Sequence, residues 1–544
     1  MSQSYDYIVV GGGSAGAVVA AKLAKSGRQV LVLEAGHSHK HPLLDMPAGI
    51  FKMIQGSKYM QYHQCVAQPH LGGREITIPQ GNVLGGGSSV NAQVYMRGRP
   101  ADYEQWNEML GPNAGWGWSD VLPHFKAMEG NNRLADQYHG TQGPVQVSDP
   151  KHIDDASRLF VQSMQVLGVP FNHDFNGATQ TGVGFYQFTN RDGKRSSSVY
   201  AYLQDEQKNP NLKIVLRAKV QKIIIKDKTA IGVEYIDQLA DKRDATEGAI
   251  TVRANCEVIL AAGALITPQL LLLSGVGPKQ QLESHEIPCV VDAPGVGENL
   301  IDHPEVPIIA LAKRKFGYFK QGEGWRMWRN GLQFLLFGTG PVVSAGVEAG
   351  AFINPIDAEA AASIQAFCIP AIYLEQETKH LVKDNYGMTI TTVVVKPKSR
   401  GFVRLKSANP NDRPLVCPNL LKDKDDLAQM IAGQRYFIKA FGCSPLSEEI
   451  AAVVLPSADE LDDEGLKNHC LSRVKTNYHP AGTARMGSDN DPLAVLNRFL
   501  QVRNVKGLRV CDMSAVPNIN AGNTNAVAMM LGHRCAQFIL QGNQ

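Results

Sequence analysis

Residues 5–34 constrain this chain more than any other part of it. Residues 5–10 form a short run rich in β-branched and aromatic side chains, and it stops at Gly11-Gly12-Gly13-Ser14-Ala15-Gly16. Residues 17–24 then repeat small and apolar side chains at helical spacing, and residues 28–34 form a second apolar run. Strand, glycine turn, helix and strand make one βαβ unit. Near-continuous apolar strands belong to a parallel sheet covered on both faces. Gly11-x-Gly13-x-x-Gly16 sits at the required junction. Gly11 allows the tight turn, Gly13 admits a pyrophosphate to the backbone, and Gly16 lets helix and strand pack closely. The helix start, at Ser14, offers free N–H groups to phosphate. Glu34 lies 18 residues beyond Gly16. A carboxylate there accepts from a ribose diol and repels a 2′-phosphate, so FAD or NAD is favoured over NADP. Residues 12–16 also read G-x-S-x-G, a hydrolase nucleophile elbow with Ser14 as nucleophile. Only a few residues precede it and Glu34 then has no role, so the dinucleotide reading is preferred.

Composition agrees with a large ligand. Glycine reaches 52 of 544 residues, about a tenth where roughly 7% is usual, and no Gly-X-Y period accounts for it. The surplus belongs at turns or against a ligand. A net charge of +3 gives no reason to expect nucleic acid. The nine cysteines show no C-x-x-C pair, so no metal site is expected and free thiols in a reducing, cytoplasmic setting are. No apolar run approaches the roughly 20 residues of a membrane span. Oligomeric state leaves no mark in the sequence.

Farther on, residues 70–100 are punctuated by Gly72, Gly73, Pro79, Gly81, Gly85, Gly86, Gly87 and Gly98. Residues 212–262 read as a β-meander with a return strand, the last two runs being 249–252 and 258–262. A helical run covers 269–274, a short strand 508–512 and a helix 525–540. Residues 305–495 read as mixed and irregular.

Two long motifs then stand out. One is Gly81-Asn82-Val83-Leu84-Gly85-Gly86-Gly87-Ser88-Ser89-Val90-Asn91, and the other Gly263-Ala264-Leu265-Ile266-Thr267-Pro268, running on to Gly277. With Asp302-His303, His479-Pro480-Ala481-Gly482-Thr483 and Gly522-Asn523-Thr524-Asn525, they give the chain a pattern that resembles the glucose–methanol–choline (GMC) family of FAD-dependent alcohol oxidoreductases along nearly its whole length. The resemblance implies an α/β fold: a Rossmann-type FAD domain in discontinuous segments (1–155, 197–304 and 497–544) and a substrate domain with an antiparallel sheet (156–196 and 305–496). It implies FAD held by residues 81–94, including Val83, Gly86, Asn91 and Val94, with Val220 at the adenine through its backbone. Asp512 would sit near the ribityl chain, and Tyr478 and Asn523 would also contact FAD. Family members with covalent FAD carry histidine where this chain has Val90, so non-covalent FAD is expected. The family often has Pro-Arg-Gly-Lys where this chain has Pro79-Gln80-Gly81-Asn82, which removes two cations near the phosphates.

The implied reaction oxidises a primary alcohol to the aldehyde, with electrons passing to oxygen or a quinone-type acceptor. His479 would be the general base, because imidazole titrates near neutral pH. Asn525 would donate to the developing alkoxide without titrating. A cyanohydrin-cleaving lyase of the same fold is the alternative. His303 reads as a loop hydrogen-bonding residue. Glu348 reads equally as a structural carboxylate or as one facing substrate. Residues 313–336 are basic and aromatic; a half-buried helix near the pocket entrance is the plainer reading, and a weak peripheral membrane contact the other.

Overall fold

A computed structural model describes residues 4–239, 249–374, 379–383 and 385–542. The βαβ unit forms where the sequence places it: β1 (Ser4–Val10), α1 (Ser14–Lys25) and β2 (Val30–Glu34). Every residue of β2 is buried, as a strand covered on both faces requires. Four more strands of this sheet follow: β3 (Leu212–Leu216), β4 (Ala218–Lys226), β5 (Thr229–Asp237) and β6 (Ile250–Leu260). β7 (Leu508–Val510) arrives from the far end of the chain. The order is β3-β2-β1-β6-β5-β4, with β7 also on β6. β3, β2, β1, β6 and β7 run parallel, while β5 and β4 form the antiparallel meander. The chain leaves β1 toward β2 on one side and returns to β6 on the other. Such a reversal opens a crevice at the C-terminal ends of the central strands, where ligands bind.

β6 corrects the sequence reading. The runs 249–252 and 258–262, expected as separate strands, belong to one strand of 11 residues. Its polar middle, Ala254-Asn255-Cys256-Glu257, hid the continuity. The first half of β6 pairs with β5, and its last three residues pair with β7.

Residues 305–495, irregular by local pattern, hold most of a second seven-stranded sheet, the antiparallel sheet that the family resemblance implied. Its order is 450–455, 304–312, 387–394, 364–369, 349–353, 182–185, with 475–476 pairing at the start of 304–312. All its pairs are antiparallel. The central strands, buried on both faces, lack the polar–apolar alternation that would have announced them; the edge strand 450–455 is partly exposed. The two faces part by residue parity. Ile364 and Thr392 meet the helix Lys424–Phe441, where a Cβ on Gly433 would come within 2.6 Å of Thr392 Cγ2. Glu305, Phe367, Ile369 and Thr391 face the other way, into a cavity shared with the first sheet.

Two further helices matter below: α2 (Gly324–Phe337) and α3 (Asn525–Leu540). α3 packs on α1 through small residues, since a Cβ on Gly532 would lie 2.5 Å from the Ala15 carbonyl oxygen. All nine cysteines are free thiols. No helix among the described residues is long and apolar enough to cross a membrane.

Candidate active site

A cavity of about 710 Å³ runs from Glu34 to His479. Its first half is walled by backbone. Gly11 has φ +99°, and a Cβ there would meet the Ala261 carbonyl oxygen at 2.4 Å. A Cβ on Gly16 would meet the Gly11 oxygen at 2.0 Å. Gly16 therefore serves packing and does not line the cavity, whereas Gly11, Gly13 and Ser14 do. No side chain caps α1 and no acid sits in its first turn, so its N-terminal amides are left for a ligand. The second glycine loop lies on the first: the Gly85 N–H donates to the Gly12 oxygen at 2.7 Å. Gly86 and Gly87 line the cavity, and a Cβ on Gly87 would meet nothing within 4 Å.

Glu34 closes this end. Its two oxygens accept from the Gly12 and Gly36 N–H groups at 2.8 and 2.7 Å, each with a lone pair to spare for a hydroxyl. Burial pushes its carboxyl pKa up, against those two bonds. Val220 lines the same end beside Arg217 and Lys219. Val94, Asn91 and Val90 line the middle. Arg195 braces that loop from behind, donating to the Leu44 and Ser88 carbonyls and to Asn91 Oδ1 at 2.6 Å. Val83 is fully buried in a small core with Leu44, Met53, Tyr59 and Val90 and does not line the cavity. Asp512 lines it, but its carboxylate already accepts from Gly263 N–H, Thr267 Oγ1, and the N–H and Oγ of Ser514.

The second half is walled by side chains, and His479 is its centre. His303 Nε2 lies 3.0 and 3.1 Å from the carbonyl oxygens of Val395 and Asn520. Carbonyls only accept, so this nitrogen carries the proton. Burial holds the His303 pKa down to about 4, so His303 is neutral and its Nδ1 is an acceptor. That Nδ1 is 3.0 Å from His479 Nδ1, which must donate. His479 Nε2 is left unprotonated, as an acceptor. Burial, with His303 and Lys475 nearby, keeps the His479 pKa well below the usual histidine range. The backbone N–H of His479 donates to Asp302 Oδ1 at 3.0 Å. Burial raises Asp302 to about 7.

Asn523 Nδ2 is 3.4 Å from His479 Nε2. Its Oδ1 accepts from Gln365 Nε2 at 3.3 Å, which turns the amide N–H toward the histidine. Asn525, expected as the partner of His479, lines the cavity elsewhere, its Oδ1 accepting from Ser14 Oγ at 2.8 Å. Asn523, expected as a FAD contact, is the asparagine beside the histidine. Ser14 has no histidine bonded to it among the described residues, so the hydrolase elbow lacks its base. Tyr478 sits at φ +65°, a strained conformation for this side chain. Its N–H is held by Thr476 Oγ1 at 2.8 Å, and its hydroxyl lies 3.1 Å from that of Tyr373.

Two features escaped the sequence reading, and a third, His303, was read only as a loop hydrogen-bonding residue. His303 needed carbonyls from segments 92 and 217 residues away. Arg195 lay outside every motif. Lys475 and Glu305 form a buried ion pair at 2.9 Å in the cavity wall, with the Lys475 ammonium over the Tyr373 and Tyr478 rings. Glu348 resolves to the structural reading: it is buried outside this cavity and accepts from Ser157, Ser344 and Tyr318 hydroxyls.

The cavity fits a dinucleotide: bare glycine backbone and free helix amides meet a pyrophosphate, and Glu34 meets a diol. Both nitrogens of His63, Gln93 Nε2, Thr391 Oγ1 and Asn477 Nδ2 are buried in this wall without a protein partner among the described residues. Orphaned polar atoms of this kind call for a polar ligand. Sequence profiles described as GMC oxidoreductase match residues 5–305 and 397–532. The chain belongs to the GMC oxidoreductase family. Among its GMC relatives, an alcohol dehydrogenase [acceptor] from Pseudomonas putida is 38% identical over 543 residues, 99% of this chain and 96% of that one. An oxygen-dependent choline dehydrogenase from Brucella suis biovar 1 is 34% identical, covering 98% and 95%. A pyridoxine 4-oxidase structure from Mesorbium loti superposes with a TM-score of 0.88 at 26% identity, covering 99% of each chain. The chain is thus a GMC oxidoreductase acting on CH–OH donors, and FAD is the cofactor of its family.

Proposed function

We propose that this enzyme oxidises an uncharged primary alcohol to the aldehyde. His479 is the general base and FAD is bound without a covalent link. The carrying observation is the fixed tautomer of His479, a residue that lines the cavity: His303 Nδ1 accepts from the His479 Nδ1–H, which leaves Nε2 as the unprotonated nitrogen. When bound, FAD supplies the acceptor for the hydride leaving the carbinol carbon. His479 Nε2 takes the hydroxyl proton, so the alcohol loses one proton and one hydride. Asn523 Nδ2 donates to the oxygen as negative charge develops there. The electrons pass on to oxygen or a quinone-type acceptor.

Two observations bear on substrate. Glu305 is committed to Lys475, and Lys475 occupies the Tyr373 and Tyr478 ring faces. Among the described residues, no carboxylate or open aromatic cage is left there for a quaternary ammonium group. Ile50, Phe51, Ile54, Val347, Phe367 and Ile369 give the cavity apolar wall, which suits an apolar tail. Val90, in the wall, has no atom that bonds to a flavin, in keeping with non-covalent attachment.

The test is an anaerobic screen of alcohols followed by admission of air. An aliphatic or aryl alcohol should bleach the flavin absorbance, and the effect of air separates oxidase from dehydrogenase. Cleavage of a substrate with the flavin still oxidised would overturn this reading in favour of a lyase. Denaturation should release free flavin into the supernatant.

A further inference from the structure

α2 presents the wrong face to solvent. A helix on a protein surface ordinarily turns its apolar stripe inward. Here the only buried side chains are Asn330 and Phe334. At 100° per residue, Trp325, Trp328, Leu332, Leu335 and Leu336 fall within an arc of about 100° opposite them. These five are 57–75% exposed. Phe337, at the helix end, is 72% exposed. Contiguous apolar surface of this kind marks a contact site.

Charge identifies the partner. Residues 313–337 carry six cations and one acid, Glu323. Lys313 and Arg314 are engaged by the chain: Lys313 donates to the Ser447 and Glu448 carbonyls, and Arg314 pairs with Glu449. Lys315, Lys320, Arg326 and Arg329 make no ion pair among the described residues. Lys320 lies over Phe319 and Arg329 over Trp325. Tryptophan with flanking cations on an apolar helix face matches the boundary of an anionic bilayer, where rings sit at headgroup depth and cations meet phosphate. A second copy of the chain would instead bring the same cations together across the contact.

The helix also adjoins the cavity. Pro341–Val343 follows it directly, and Ala345 and Val347 then enter the cavity wall. A Cβ on Gly346 would lie 2.4 Å from Phe51 Cζ, so the segment packs on another wall residue. We propose that α2 and the Lys315–Lys320 cations dock this enzyme on an anionic phospholipid bilayer, with the active-site cavity beside the contact. This inference does not depend on which alcohol is oxidised.

The experiment is flotation of the FAD-loaded enzyme with vesicles of phosphatidylcholine and phosphatidylglycerol, with pure phosphatidylcholine vesicles alongside. Tryptophan emission is read in the same samples. Of five tryptophans, Trp106 and Trp116 are fully buried, so a blue shift reports chiefly on Trp325 and Trp328. The wild type should float with anionic vesicles at low salt, shift to the blue, and release as salt rises. W328S/L335S should stay at the bottom with flavin content unchanged. K315E/R326E should bind about tenfold more weakly or worse. Wild-type enzyme that remains unbound to anionic vesicles at low salt overturns the proposal. So does a lipid-free dimer that W328S/L335S dissolves while flotation is absent.

Discussion

The two halves of the cavity are built from different materials. The half around Glu34 is backbone: glycines from two loops, the start of α1, and one carboxylate. The half around His479 is side chain: Lys475, Glu305, Phe367 and Thr391 from an antiparallel sheet, and Tyr373 from the segment that follows the strand 364–369. Backbone can grip only what is common to every substrate cycle, the cofactor. Side chains can be exchanged without moving the sheet, so specificity resides there. The lesson is that mutations on the two sides should fail in separable ways.

The largest separable effect is expected at His479. H479A should lower kcat by roughly 10²–10⁴-fold, the usual worth of a positioned base, with flavin content unchanged; stopped-flow reduction checks it. Loss of flavin in that variant would break the division. H303F comes next, at roughly 10–100-fold, because His479 loses its acceptor and its tautomer is no longer fixed. H303Q offers a carbonyl in its place and should recover part of the rate, which a purely structural defect would not. On the other side, E34A should weaken FAD binding by about tenfold or more, the cost of losing hydrogen bonds to a charged acceptor. Its kcat with saturating FAD should be close to wild type.

The smallest effects are in pH. His479 stays neutral below the usual histidine pKa, so the acid limb of kcat/KM should lie below about pH 6.5. Stability should respond in opposite senses at two sites. Burial holds His303 and His469, beside the antiparallel sheet, to about 4. The unfolded chain binds protons that these residues refuse, so their contribution is complete above about pH 6.5 and is lost as pH falls toward 4. His139 is desolvated too, but hydrogen bonds to Asp174 and Glu129 outweigh burial and raise it to about 8. Its contribution is complete below about pH 6.5 and is lost as pH rises through 8. Thermal unfolding across pH should show both slopes, and H139A should flatten only the alkaline one.

What could be read from the sequence follows the same division. Gly11, Gly13, Gly16 and Glu34 were legible because backbone geometry dictates glycine at set intervals. The choice between Asn523 and Asn525 was not, because two residues of one loop separate them. α3 begins at Asn525 and turns that side chain to Ser14, leaving Asn523 to His479. His303 was undervalued because its tautomer is set by Val395 and Asn520, which no local pattern links to it. The antiparallel sheet was expected only through the family resemblance; its individual strands were not legible from local pattern, because its central strands are covered on both faces, which erases the period of two.

The hydrogen bond between Ser14 and Asn525 joins residues 511 apart, and β7 reaches β6 only from residue 508 onward. A ribosome therefore has to release the segment through residue 525 before β7 and the Ser14–Asn525 contact can complete the sheet and its glycine loop. Contacts of such long sequence separation form slowly, and partly made sheets expose unpaired edges meanwhile. FAD thus meets its finished seat only after residues 508–525 have joined the fold. A cell short of flavin would accumulate chains with an open crevice, which makes cofactor supply a determinant of how much folded enzyme survives.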